Sequence, residues 1–172
     1  MHHRFSWTPV AGLLLAFVGT ASVALAAEAT REDPVARGRY LVKVAGCNDC
    51  HTAGYAPLEG KVPESEWLKG DALGWQGPWG TTYAVNLRIY MQNLGEKEWL
   101  IAARNMKARP PMPWMNVAAM TDEDLRAIHR YVRTLKPLGS LAPAYLPPGA
   151  QAKGPVVVFP APPAPPAKTA QR

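Results

Sequence analysis

Cys47-Asn48-Asp49-Cys50-His51 decides how this chain is read. On one helical turn, cysteines three residues apart project to the same side. The histidine that follows at once then lies beneath whatever the two sulfurs hold. C-x-x-C-H is the spacing by which haem is fixed covalently as haem c. Each sulfur adds to one of the two haem vinyl groups, and the imidazole offers a nitrogen to the iron. Asn48 and Asp49 need only allow the turn. A structural zinc site asks for four nitrogen or sulfur ligands, and the chain has 2 cysteines and 4 histidines, with His2 and His3 in a targeting segment. A thioredoxin-like dithiol needs a strand before it, and none precedes Cys47. A disulfide across so small a loop stabilises little.

The N-terminus reads as an export signal. His2, His3 and Arg4 make a short basic start, Pro9 to Ala27 is almost wholly apolar, and Ala24-Leu25-Ala26 is an A-x-A cleavage site before the polar Glu28. A signal peptide over residues 1–26 is therefore expected. The apolar run is also nearly long enough to span a bilayer, so an uncleaved membrane anchor is the alternative. Membrane association is expected only if that segment is retained.

The whole chain has a net charge of +6, and cleavage after Ala26 removes only Arg4, which leaves +5. A basic surface steers toward an acidic redox partner or anionic headgroups, and it equally serves plain solubility. The basic residues are scattered and the protein is exported, which argues against nucleic acid. Residues 31–146 carry the mixed pattern of one domain. Residues 147–172 read as a Pro-rich C-terminal extension, and 161–172 as disordered or polyproline-like. No internal repeat appears, and one C-x-x-C-H means one haem.

Capping signals place the helices. Asp33 before Pro34 is an N-cap and first-position pair for a helix to about Ala45. Gly38 in its middle is locally unfavourable, which a close helix crossing would explain. Thr121 caps a second helix, Asp122 to Asp124 suit its positive end, and Pro137 stops it after Leu135. Leu125, Ile128, Val132 and Leu135 form its apolar stripe, with Tyr131 beside it. Gly95 to Met106 is a third helix with Trp99, Leu100 and Ala103 inward, and a short turn falls around Pro63 to Lys69. Strand composition is confined to Val156 to Phe159.

Helix, haem motif, long irregular stretch, helix, methionine loop, terminal helix: this order resembles the class I cytochrome c family over roughly residues 31 to 138. The resemblance implies an all-α, cytochrome c-like fold, with about three main helices round one covalent haem and long irregular loops. It implies that the first and last helices cross, with Tyr131 against Gly38. The stretch from Trp75 to Asn86 and Met112-Pro113-Trp114 are similar to single-haem cytochromes associated with bacterial dehydrogenases. Covalent haem attachment in bacteria takes place outside the cytoplasm. The expected location is the periplasm, free or anchored to the outer face of the inner membrane.

His51 supplies one axial ligand, and the resemblance implies that the other comes from a methionine in the loop before the last helix. Met112 matches that place in Arg109-Pro110-Pro111-Met112-Pro113-Trp114, where the prolines hold the backbone extended and exclude helix. Met115 is the nearest competitor, with Met106, His129 and an open site behind it. Met91 reads as core filler, and Met120 as a hydrophobic staple to Leu125. Pro57 is a candidate to accept the second imidazole N–H through its carbonyl. Trp79, Tyr83 and Asn86 are candidate donors to the haem propionates, and Trp67, Trp75 and Trp114 candidate covers for its apolar edge.

Three function classes follow. The first is electron carriage by Fe(III)/Fe(II) cycling between a dehydrogenase or respiratory donor and an acceptor cytochrome or oxidase. A variant of it is the electron-accepting subunit of a dehydrogenase complex. No Ser-His-Asp set or carboxylate pair stands out, so the chain is not expected to be an enzyme. The second is peroxide reduction, which needs an open iron and usually a second haem. The third is gas binding at five-coordinate haem, but in the cytochrome c-prime type the motif lies near the C-terminus.

Overall fold

A computed structural model describes residues 33–160. The expected signal peptide and the tail from 161 to 172 lie outside the described residues. Helix α1 is Pro34–Val44, and the Asp33 carboxylate accepts the Val35 N–H at 2.9 Å. Gly46, in a left-handed conformation, turns the chain into α2, Cys47–His51. Turns and a single 3-10 turn at Glu64–Glu66 lead to a hairpin of β1, Gly74–Gly77, and β2, Gly80–Tyr83. Helices α3 (Leu87–Gln92), α4 (Glu96–Asn105), α5 (Trp114–Ala119) and α6 (Asp122–Thr134) follow, and β3 is Val156–Val158. Thr121 caps α6 by accepting the Asp124 N–H at 3.1 Å.

The core forms where α1 crosses α6. Val42, Leu125, Ile128, Tyr131 and Val132 are buried there, with Leu68, Met91 and Trp99 from the neighbouring elements. Ala127 and Tyr131 press against Gly38, as a close crossing requires. Trp99 fixes α4 by donating its indole N–H to the Leu125 carbonyl at 2.7 Å. Arg88 is 3% exposed, and its guanidinium donates to the carbonyls of Trp67, Leu135, Glu64 and Ser65. One charged side chain thereby satisfies carbonyls at the 3-10 turn and at the C-terminal end of α6.

The hairpin, α3 and α5 are absent from the sequence reading. Trp75-Gln76-Gly77-Pro78-Trp79-Gly80 has Gly and Pro where a strand would show alternation, so tertiary pairing makes it a strand. The chain beyond α6 returns to this hairpin on both edges. Leu146 exchanges two backbone hydrogen bonds with Thr81 of β2, at 2.8 and 3.0 Å. β3 then pairs parallel with β1, giving the order β2-β1-β3. Phe159 lies against Trp75 and Trp79, with ring centroids 6.1 and 5.4 Å apart. Gly80, at φ 97°, makes room for this return, since a Cβ there would stand 2.2 Å from the Leu146 carbonyl oxygen.

Candidate cofactor site

A cavity of about 610 Å³ opens between α2, β2, α3, the loop before α5, and the chain around Tyr145. This lies within the roughly 300–1,000 Å³ range of sites that hold sizeable organic ligands. Cys47, Cys50 and His51 line one side, and Met112 lines it from the proline loop. Thus all four residues singled out in the sequence border one space.

His51 is 8% exposed, and its Nδ1 lies 2.7 Å from the Val85 carbonyl oxygen. A carbonyl only accepts, so Nδ1 carries the proton and Nε2 keeps its lone pair. Burial holds the imidazole pKa below its ordinary value, against a smaller opposing effect of the Val85 carbonyl. Val85, not Pro57, is therefore the orienting group. The turn after the motif is pinned as well. Thr52 donates its hydroxyl to Asn48 at 2.8 Å and accepts the Leu68 N–H at 2.8 Å, and the Gly70 N–H reaches the His51 carbonyl at 2.8 Å.

Both cysteines carry free thiols. Burial pushes Cys47 up to about 11; burial, then the carboxylates of Asp49 and Asp71, pushes Cys50 up. Such thiols stay protonated at neutral pH, contrary to the lowered pKa of a dithiol redox centre. Among the described residues no group of three or more His, Cys, Asp or Glu side chains is placed to hold a metal ion, so the zinc reading also lacks ligands.

The loop holding Met112 is built as a tight turn. The Met112 N–H donates to the Arg109 carbonyl at 3.3 Å, and the Trp114 N–H to the Met112 carbonyl at 2.8 Å. The Pro110–Pro111 bond is cis. Thr82 of β2 donates its hydroxyl to the Pro110 carbonyl at 2.7 Å, tying the turn to the hairpin. Met91, Met106 and Met120 also line the cavity. Met91 belongs to the buried core, and Met106 and Met120 pack against it. Met115 is 54% exposed on α5. His129 is buried in α6 with Nε2 2.9 Å from the Leu94 carbonyl, a packing role.

The suggested propionate donors are largely engaged elsewhere. Trp79 donates to the Trp75 carbonyl at 3.3 Å, and Asn86 to the carbonyls of Leu138 and Ser140 at 2.8 and 3.2 Å. Trp67 sits in the core and donates to Val62 at 2.8 Å. Tyr83 and Trp75 line the cavity. The buried indole N–H of Trp75 has no hydrogen-bond partner among the described residues. An orphaned donor on a cavity wall suits an acidic group of a bound cofactor. Two neutral thiols, an oriented imidazole, a thioether and this donor fit a haem.

The comparisons agree with that chemistry. A family described as Cytochrome c matches residues 35–136, more than half of the chain. The chain is 28% identical over 131 residues to the gluconate 2-dehydrogenase cytochrome c subunit of Pantoea cypripedii, covering 69% of this chain. It spans 27% of that protein's length. No solved structure matches.

Proposed function

The chain belongs to the cytochrome c family, and on that premise we propose that it carries electrons as a periplasmic cytochrome with one covalently held haem. Cys47 and Cys50 would hold the group through two thioethers, each S–H adding across a vinyl double bond so that sulfur takes one carbon and hydrogen the other, with no oxidant needed. His51, its Nδ1 held by the Val85 carbonyl, would present Nε2 to the iron, and Met112 would present its thioether from the proline loop. When bound, haem supplies one-electron exchange between Fe(III) and Fe(II), and histidine with methionine favours a raised potential. The largely apolar lining of the cavity would limit the access of water to these two side chains.

The convergence of Cys47, Cys50, His51 and Met112 on one cavity, with Nδ1 already taken by Val85, carries this reading. Met112 is preferred because its neighbours in the cavity are committed to the core and Met115 points to solvent. Partners are redox proteins: a dehydrogenase, another cytochrome or a terminal oxidase. A role as the electron-accepting subunit of a dehydrogenase complex is supported by the relative from Pantoea cypripedii. Mass spectrometry and a visible spectrum of the exported protein test the proposal. The expected result is the polypeptide plus one haem, with neither thiol open to alkylation and a reversible redox titration. Bare polypeptide with two alkylated cysteines would end it. Membrane fractionation decides between free carrier and anchored form.

A further inference from the structure

The chain past residue 136, where the family match ends, walls the cavity with Pro143, Ala144 and Tyr145. Tyr145 occupies the key place. Its hydroxyl donates to the Trp79 carbonyl at 2.9 Å, and the next residue pairs with Thr81 on the edge of β2. Across its ring lies Arg109, with the guanidinium carbon 3.8 Å from the centroid. Arg109 begins the turn that Met112 closes through its N–H. The same strand that anchors Leu146 also holds Pro110 through Thr82. The turn is thus held at two successive residues, one by β2 directly and one by the C-terminal segment bound to β2.

We propose that Tyr145 is a positioning residue: its ring clamps Arg109, and so keeps the Met112 turn closed on the cavity. This rests on the reading of Met112 as an iron ligand. A thioether is a weak ligand, so its retention depends on how firmly the turn is held. The segment beyond the family match would then set how readily a foreign ligand displaces Met112. Arg109 is exposed, so its planar cation on an aromatic face is a modest but directional contact.

The test is imidazole binding to the full-length ferric holoprotein, followed by the loss of the long-wavelength charge-transfer band of methionine-ligated iron. Tyr145→Ala and Arg109→Gln should each raise imidazole affinity about two- to fivefold, the equivalent of one exposed cation–π contact. Tyr145→Phe keeps the ring but loses the bond to the Trp79 carbonyl, so its affinity should fall between those of the parent and Tyr145→Ala; an affinity above that of Tyr145→Ala counts against the ring as the clamp. The double variant should match a single one, because the two residues form one contact. Unchanged affinity in the single variants, or a double variant equal to the product of both effects, overturns the proposal. Should Tyr145→Ala fail to accumulate, Arg109→Gln decides alone, since it alters an exposed side chain. Absence of the methionine band in the parent, or its survival in Met112→Ala, defeats the ligand reading and the clamp together. Its presence places any failure on Tyr145.

Discussion

Gly38 of α1 meets Ala127 of α6 so closely that a Cβ on Gly38 would stand 2.0 Å from the Ala127 carbonyl oxygen. The obstacle is backbone, which cannot step aside as a side-chain tip can. The helices must separate, and with them Val42, Leu125 and Tyr131. Gly38→Ala gains helix propensity of about 1 kcal/mol but should lose about 3 kcal/mol or more net through overpacking. Denaturant unfolding of the holoprotein measures this. A variant as stable as the parent would mean that the crossing is looser than described.

Arg88 should be the most costly surface-type residue to truncate, because it is not at the surface. Arg88→Ala strands the carbonyls of Trp67, Leu135 and Ser65, while that of Glu64 keeps the Trp67 N–H, and a loss of about 3 kcal/mol or more is expected. Arg130→Ala removes only a solvent-exposed pair with Glu96 and should cost less than about 1 kcal/mol. Equal losses in the two variants would contradict the role assigned to Arg88.

Glu64 gives the acid limb of stability a definite sign. Burial pushes its pKa up, but hydrogen bonds from Arg39 at 2.7 Å and Tyr131 at 2.8 Å outweigh it, and the net direction is down. As pH falls, the unfolded chain takes up this proton before the folded one does. The stabilisation is present above the ordinary glutamate value of about 4.3 and fades as pH drops through the lower folded value. Glu64→Gln should therefore be less stable than the parent near neutrality, with the gap narrowing between about pH 5 and pH 3. Thermal unfolding across that range checks it; a constant gap would remove Glu64 from the account.

Met112→Ala should abolish the methionine charge-transfer band and let the reduced protein bind carbon monoxide, whereas Met115→Ala should do neither. The contrast follows from position: Met112 borders the cavity, and Met115 is 54% exposed. Carbon monoxide difference spectra of both variants supply the measurement. Binding by Met115→Ala alone would reverse the assignment.

Local signals made much of this molecule legible. Asp33-Pro34 and Thr121 marked helix starts to within a residue, because a cap is a contact between near neighbours. Gly38 pointed to the crossing because a glycine inside a helix has a local cost that packing must offset. The hairpin escaped notice, since its strands carry Gly, Gln and Thr and depend on Leu146 and β3 for their partners. The surroundings of the candidate propionate donors also depend on tertiary contacts. Trp79 donates within its own hairpin to the Trp75 carbonyl, and Asn86 to the carbonyl of Leu138, 52 residues further on.

By itself the sequence determined that Cys47, Cys50 and His51 share one short helix, since they lie within five residues and helical geometry aligns them without help. Only the tertiary structure decided which group turns His51, which methionines face solvent or core, and that Tyr145 reaches Arg109. The physical reason is that these choices are made largely by backbone carbonyls such as that of Val85. Every residue carries one, so residue type gives no hint of which will be brought within 2.7 Å of a ring nitrogen.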